Sequence, residues 1–343
     1  MTTTVIAFFN NKGGVGKTSL VYHLAWMYAD LGARIVAADL DPQSNLTSAF
    51  LDEGRLENLW PDGDHPNTIF GCVQPLLQGT GDIASPHLED VSEIQPSLFG
   101  GPIALLVGDL LLSGFEDELS DVWPRCLDGN QRAFRIISAF WRIMQQAATM
   151  HKADLILMDL GPNLGALNRA ALIAADYVVV PLSPDLFSLQ SLHNLGPTLR
   201  RWRGEWQERL VKKPTNSVPL PSGHMQPIGY IVLQHAVRMD RPVKAYDRWI
   251  ARIPVEYHSY VLNEQTNNNI SIADDPQCLA LLKNYRSLMP LAQEAHKPMF
   301  HLKPADGAIG SHLQAAQSAY QDFKQLAVKI AERTQITLPK PLF

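Results

Sequence analysis

Three cysteines in 343 residues are too few and too scattered for a disulfide framework. Cys72, Cys126 and Cys278 have no C-x-x-C neighbour, which excludes a zinc ribbon and points to a reducing compartment. Long apolar runs are missing too. No stretch approaches the roughly 18 consecutive apolar residues of a membrane span, so none is expected. The first residues, Met1-Thr2-Thr3-Thr4, carry no basic n-region; no secretory leader is expected, and the expected location is cytoplasmic. There is no internal repeat, no low-complexity tract and no N-terminal helix-turn-helix extension. Basic residues are scarce in one region and crowded in another. Asp39 to Asn130 holds 17 acidic residues against two basic ones, Arg55 and Arg125; Leu195 to Val255 holds 11 basic against four acidic. With a net charge of only −5 overall, this asymmetry implies a molecule with one basic side.

What the chain does have is a glycine-rich turn in a telling place. Val5 to Phe9 is a short apolar run of buried-strand type, and Leu20, Leu24, Met27 and Leu31 recur at helical spacing. Between them lies Asn10 to Ser19, N-N-K-G-G-V-G-K-T-S. Strand, glycine turn and helix together are the setting of a phosphate-binding loop. Gly13, Gly14 and Gly16 leave room for backbone N–H groups to close on phosphate oxygens, and the helix aims its positive end at the same point. Lys17 is placed to reach β and γ phosphates, and the Thr18 hydroxyl to hold Mg²⁺. The strict pattern has glycine at position 11; here it is Asn11, one of the few other residues that tolerates a left-handed backbone. Lys12 is a second lysine inside the loop.

Two further strands end in carboxylates. Arg34 to Ala38 runs into Asp39-Leu40-Asp41-Pro42-Gln43, and Asp154 to Met158 runs into Asp159-Leu160-Gly161-Pro162-Asn163-Leu164-Gly165. Carboxylates beyond the carboxyl ends of parallel strands face the ligand crevice of an open α/β sheet.

The loop, D-L-D-P-Q and the strand ending in D-L-G-P-N-L-G resemble, in this order, the deviant Walker A, second signature and Walker B of ParA-type P-loop ATPases in the ParA/MinD group. The polar Asn11 before the first lysine is more similar to the ParA branch. The resemblance implies a doubly wound, mostly parallel sheet with helices on both faces, binding ATP and Mg²⁺ along Asn11 to Ser19 (Asn11, Lys12, Gly13, Gly14, Val15, Gly16, Lys17, Thr18, Ser19). It implies that Asp41 orients the attacking water, that Asp39 lies near the Mg²⁺ shell, and that Asp159 holds Mg²⁺ through water. It also implies a face-to-face homodimer over two ATP molecules, with Lys12 reaching the partner's phosphates. The ATP-bound dimer would bind DNA without sequence preference on the nucleoid. A ParB-like or other stimulating protein would trigger slow hydrolysis while a plasmid, chromosome or protein cargo is positioned.

The likeness extends further along the chain, with enlargements. Asp52 to Asn130 holds turn clusters, a short helix at Ile69 to Leu77, a strand at Ile103 to Val107 and an acidic helix at Phe115 to Val122, expected as a solvated face. Ala133 to Met150 reads as one amphipathic helix, Asn168 to Asp176 as a small-residue helix, and Tyr177 to Pro181 as a buried strand. A helix from Leu189 to Leu210 is interrupted by Gly196-Pro197, and Lys212 to Gln226 reads as a surface loop. Ile228 to Gln234 is the next strand; the resemblance gives Gln234 at its end the adenine edge. Arg252-Ile253-Pro254 resembles the family's short strand end whose following loop, at Pro254, flanks the base. Val255 to Leu288 is then an insertion, Met289 to Phe300 a family-like stretch, and Gln314 to Glu332 a last amphipathic helix. The whole chain is expected to be a single ATPase domain. Arg200, Arg201, Arg203, Arg238, Arg241, Lys244 and Arg248 are the candidates for DNA contact.

Other readings stay open. A subunit of a defence or toxin-type complex would use the enlarged segments. A MinD-like positioning ATPase would need a free amphipathic anchor, whereas the last helix has a narrow apolar face suited to core packing. An iron–sulfur carrier would need paired cysteines, and a ligase on the same fold does not need D-L-D-P-Q or Lys12.

Overall fold

The computed structural model describes residues 2–91, 100–233, 248–265, 270–283, 285 and 288–339. Eight strands form one sheet: β1 (Thr4–Phe8), β2 (Ile35–Asp39), β3 (Glu89–Asp90), β4 (Ile103–Leu106), β5 (Leu155–Asp159), β6 (Tyr177–Leu182), β7 (Gln226–Leu233) and β8 (Cys278–Leu282). Their order is β3-β4-β2-β5-β1-β6-β7-β8, and every pairing is parallel except that of the two-residue edge strand β3. Helices cover both faces, so the central strands are apolar throughout rather than alternating. Val5, Ala7 and Phe9 pack into the core on one face, and Ile6 and Phe8 into the core on the other. The doubly wound α/β fold expected from the sequence is the one observed.

The helices are α1 (Lys17–Asp30), α2 (Asn45–Phe50), α3 (Glu53–Leu59), α4 (Ile69–Gln78), α5 (Phe115–Arg125), α6 (Gln131–Ile137), α7 (Ala139–His151), α8 (Ala166–Ile173), α9 (Leu186–Val211), α10 (Ile253–Glu256), α11 (Leu288–Glu294) and α12 (Ser311–Thr334). α1 stops where Gly32 adopts φ +87 and its N–H bonds Ala29 O. α12 buries Ala319, Phe323, Leu326 and Ile330, and Tyr28 on α1 donates to Ala327 O at 3.0 Å. Its apolar face is therefore consumed by the core.

Three sequence expectations are corrected. The helix expected over Ala133–Met150 is two, divided at Ser138, whose hydroxyl turns back to donate to Phe134 O at 2.7 Å. Gly196-Pro197 does not interrupt α9, which runs unbroken through both. Gly196 is instead a contact point: a Cβ there would lie 1.9 Å from Tyr260 O. Arg252-Ile253-Pro254 is no strand end; Ile253–Glu256 is a short helix passing into a π-helical turn, Tyr257–Leu262. The segment Val255–Leu288, expected as an insertion, supplies β8. That segment is tied to β7 by Tyr230, which donates to Asp275 Oδ2 at 2.6 Å, while His258 contacts both Asp275 and Glu264 at 3.0 Å.

Candidate functional site

The site lies at the carboxyl ends of β1, β2 and β5. Asn10, fully buried, donates through Nδ2 to Pro181 O at 2.7 Å and accepts the Lys12 N–H at 2.9 Å, which pins the loop between β1 and β6. Val15 is buried beneath the loop as its apolar anchor. Gly14 and Gly16 take φ +71 and +79, where a side chain would be strained, and a Cβ on Gly16 would meet Leu233 Cδ1 at 2.6 Å. Asn11 is not among the residues with positive φ, so the left-handed conformation allowed for it is not used.

The two lysines point to different work. Lys17 is 7% exposed and donates to Lys12 O at 3.4 Å. Burial lowers its pKa, against the pull of Asp159 and Asp41. Lys12 is ion-paired to Asp185 and lies 3.3 Å from Ser188 Oγ. Asp185 is also the cap of α9, accepting the Ser188 N–H at 2.9 Å. Lys12 is thus turned towards the start of α9 in this state.

Strand register sets the carboxylates. Asp39 pairs with Asp159 across β2 and β5, and Phe8 with Asp159 across β1 and β5. Asp39 is fully satisfied: Oδ2 accepts the Thr47 N–H and hydroxyl, both at 2.8 Å, and Oδ1 accepts the Asp41 N–H at 3.3 Å. Asp159 is as deeply buried, yet neither carboxylate oxygen has a hydrogen-bond partner, although the Thr18 hydroxyl lies close by. Burial raises the pKa of both, and for Asp159 the nearby Asp39 charge raises it further. Asp41 accepts the Gln43 N–H at 3.0 Å; a Cβ on Gly161 would come within 3.1 Å of it. A buried carboxylate without a partner is costly unless something compensates it. Beside a hydroxyl and a phosphate loop, that donor set fits Mg²⁺, a hard cation that keeps several waters and takes few protein ligands. No group of three or more His, Cys, Asp or Glu side chains suited to a metal occurs among the described residues, which such an ion does not need.

The loop opens into a cavity of about 760 Å³. Gly13, Gly14, Gly16, Lys17, Thr18 and Ser19 form its floor, Asp41, Gln43 and Pro162 one wall, and Met289, Ala292, Gln293, His296 and Lys297 another. Sequence reasoning missed that last wall and the contribution of Tyr22 and His23. The signal available was the family-like stretch Met289–Phe300. His23 ties this wall to α1: Nδ1 bonds Ser19 O at 2.7 Å and Nε2 accepts the Met299 N–H at 3.2 Å. That fixes the neutral Nδ1–H tautomer, consistent with burial pushing its pKa down to about 4. Pro254, expected to flank the base, is buried and does not line the cavity, whereas residues of α11 do. Gln234 lies outside the described residues.

The basic side is only partly displayed. Arg200 donates to Tyr260 O and Val261 O at 2.7 and 3.0 Å, and Arg203 to His224 O and Met225 O at 2.6 and 2.7 Å. Trp202 between them is buried. These two guanidiniums hold backbone, whereas Arg201 and Arg248 are exposed. Arg238, Arg241 and Lys244 lie outside the described residues. The acidic helix α5 is likewise not just a solvated face. Glu116 accepts the Leu167 N–H at 2.7 Å and caps α8, the helix that follows the Asp159 loop.

A strand, a glycine loop clasping a buried lysine and a partnerless aspartate across the strand register define a P-loop nucleotide-binding protein. A family model described as "AAA domain" matches residues 3–212, and the chain belongs to that family, among its ParA-type P-loop ATPases. It is 30% identical over 206 residues to the chromosome partitioning protein ParA of Caulobacter vibrioides, covering 60% of this chain and 66% of that protein. It is 28% identical over 196 residues to the sporulation initiation inhibitor protein Soj of Bacillus subtilis, covering 57% and 64%. The chain thus matches just under two thirds of the length of these relatives. Among solved structures, protein DIP2308 of Corynebacterium diphtheriae shares the fold with a TM-score of 0.69 at 23% identity, covering 97% of this chain and 99% of that one. The structure of pNOB8 ParA bound to nonspecific DNA gives 0.57 at 16%, covering 97% and 99%.

Proposed function

We propose that the protein is a Mg²⁺-dependent ATP hydrolase that works as a dimerising switch. The observation that carries this reading is the buried Asp159 carboxylate, without a hydrogen-bond partner, close behind Thr18 and Lys17, which line a 760 Å³ cavity. The phosphates lie along Asn11–Ser19, with Lys17 as the main cation. Thr18 and Asp159 hold the metal, Asp159 through water; Asp39, already saturated by Thr47, acts from behind by fixing the Asp41 turn. Held there, Mg²⁺ would supply positive charge to offset that on the transferred phosphoryl group. Asp41, its carboxylate held by the Gln43 N–H, orients the attacking water. The base rests against α11, where Met289 and Ala292 offer apolar surface and Gln293 an amide with both donor and acceptor.

Lys12 acts across a homodimer interface, leaving Asp185 to meet the partner's phosphates, a role worth roughly 10³–10⁵ in rate when an arginine performs it. Leu186 and Phe187, 40% and 68% exposed beside Asp185, supply apolar surface for that contact. The dimer binds DNA without sequence preference through Arg201, Arg248 and neighbouring basic residues, and a stimulating partner protein resets it. The task is positioning a DNA or protein cargo from a cytoplasmic, nucleoid-associated pool, by one ATPase domain with enlargements at 52–130 and 255–288. No helix among the described residues is long and apolar enough to cross a membrane, and the core packing of α12 speaks against its use as a membrane anchor.

The test is calorimetry and turnover with Mg·ATP, with and without DNA, on the wild type and Lys17→Ala. Slow turnover stimulated by DNA, with nucleotide binding lost in Lys17→Ala, is expected. Unchanged affinity in that variant would sink the assignment.

A further inference from the structure

We propose a second anion site, separate from the nucleotide cavity, that takes a small phosphate-class oxyanion between Arg132 and Arg135. A cavity of about 220 Å³ is bounded there by Leu76, Gly79, Gly81, Gln131, Arg132 and Arg135, none of which lines the nucleotide cavity. The cavity lies between the C-terminal end of α4 and the start of α6, on the face of the sheet covered by α4 to α9.

The charge accounting singles out Arg135. Its Nε is buried and has no hydrogen-bond partner, an uncommon state for a charged donor. Asp82 feels the Arg135 charge, but its hydrogen bonds go elsewhere: it pairs with Arg142 at 2.8 Å and accepts the Ile83 N–H at 2.8 Å. Arg142 also donates to Arg135 O at 2.8 Å, so it holds the Arg135 backbone without neutralising its side chain. Arg132, on the other wall, pairs with Glu118 and donates through Nη2 to Leu76 O at 3.0 Å. Three guanidiniums thus face two carboxylates, and the surplus positive charge falls on the cavity wall. The cavity has room for a phosphate or a small phosphorylated compound but not for a nucleotide, and a guanidinium fork matches phosphate oxygens. Glu118 is the internal competitor for Arg132, so the occupant must share that arginine with it.

The experiment uses the full chain carrying Lys17→Ala, which removes the main phosphate contact of the nucleotide loop. Inorganic phosphate, sulfate and acetate are titrated by calorimetry. Phosphate and sulfate should bind one equivalent and acetate far more weakly. Arg135→Gln should weaken phosphate by about tenfold or more, the loss expected for a charge-assisted hydrogen bond. Glu118→Gln should tighten it by freeing Arg132. With Lys17 restored, Arg135→Gln should leave Mg·ATP affinity unchanged. Phosphate binding that ignores both Arg135→Gln and Glu118→Gln would overturn the proposal. So would the absence of any saturable phosphate binding in the Lys17→Ala chain.

Discussion

At the scale of the residue, the site stores its function as an electrostatic debt. Asp159 and Asp39 are paired in register, fully buried, and held above the usual carboxylate range by that burial. A carboxyl with a raised folded pKa binds its proton more tightly in the native state. Its stabilising effect is present at low pH and is lost as pH rises from the ordinary carboxylate range near 4 through neutrality. The ligand-free protein should therefore lose stability between about pH 4 and 8 through these two groups, and Mg·ATP should restore it. Asp159→Asn removes the charge while keeping the shape. At pH 8 without nucleotide this variant should melt about 2–4 °C above the wild type, an advantage that shrinks towards pH 5, while losing Mg²⁺-dependent nucleotide binding. Scanning calorimetry across pH reads both effects. An Asp159→Asn protein that is no more stable at pH 8 would show that the carboxylate is already compensated in the free chain.

At the scale of the element, close backbone approach decides what sequence patterns mean. A Cβ at Gly196 would reach within 1.9 Å of Tyr260 O, and Arg200, one turn along, donates to the same carbonyl. Gly196→Ala should push the π-helical turn off α9, costing about 1–3 kcal/mol by overpacking and seen as a lowered melting temperature. Wild-type stability in that variant would mean that the contact gives way easily. The same pair shows what was legible beforehand. Gly-Pro reads locally as a helix break, and only the tertiary neighbour explains why it is not. The phosphate loop, Asp39, Asp41 and Asp159 were legible because each is a strand end followed by a turn, coded within a few residues. The wall made by Met289, Gln293 and Lys297 was not, because it meets α1 only after the sheet has closed, with β8 lying between it and Ile253-Pro254. The arginines of α9 show a related limit: a basic run does not reveal which guanidiniums bond carbonyls, as Arg200 and Arg203 do, and which stay exposed, as Arg201 does.

At the scale of the whole molecule, the proposed switch needs two copies of the chain and a DNA scaffold. DNA binding by the ATP-bound dimer should fall with salt at about 0.9 in log–log slope per phosphate neutralised. Arg201→Ala and Arg248→Ala should each reduce that slope by roughly one or two, since every residue occurs twice in the dimer. Arg200→Ala and Arg203→Ala should lower stability instead, because their guanidiniums hold Tyr260, Val261, His224 and Met225 carbonyls. Equal loss of binding from all four, without loss of stability, would return those two to the DNA face. The central claim, however, is that nucleotide state sets the oligomeric state through Lys12 and Asp41. Sedimentation velocity of Asp41→Ala with Mg·ATP, with Mg·ADP and without nucleotide tests it most directly, with Lys12→Gln in the same background as control. A dimer is expected with ATP alone, a monomer in the other two conditions, and a monomer throughout when Lys12 is replaced. A saturably ATP-bound Asp41→Ala protein that stays monomeric, or a full dimer population lacking Lys12, would contradict it.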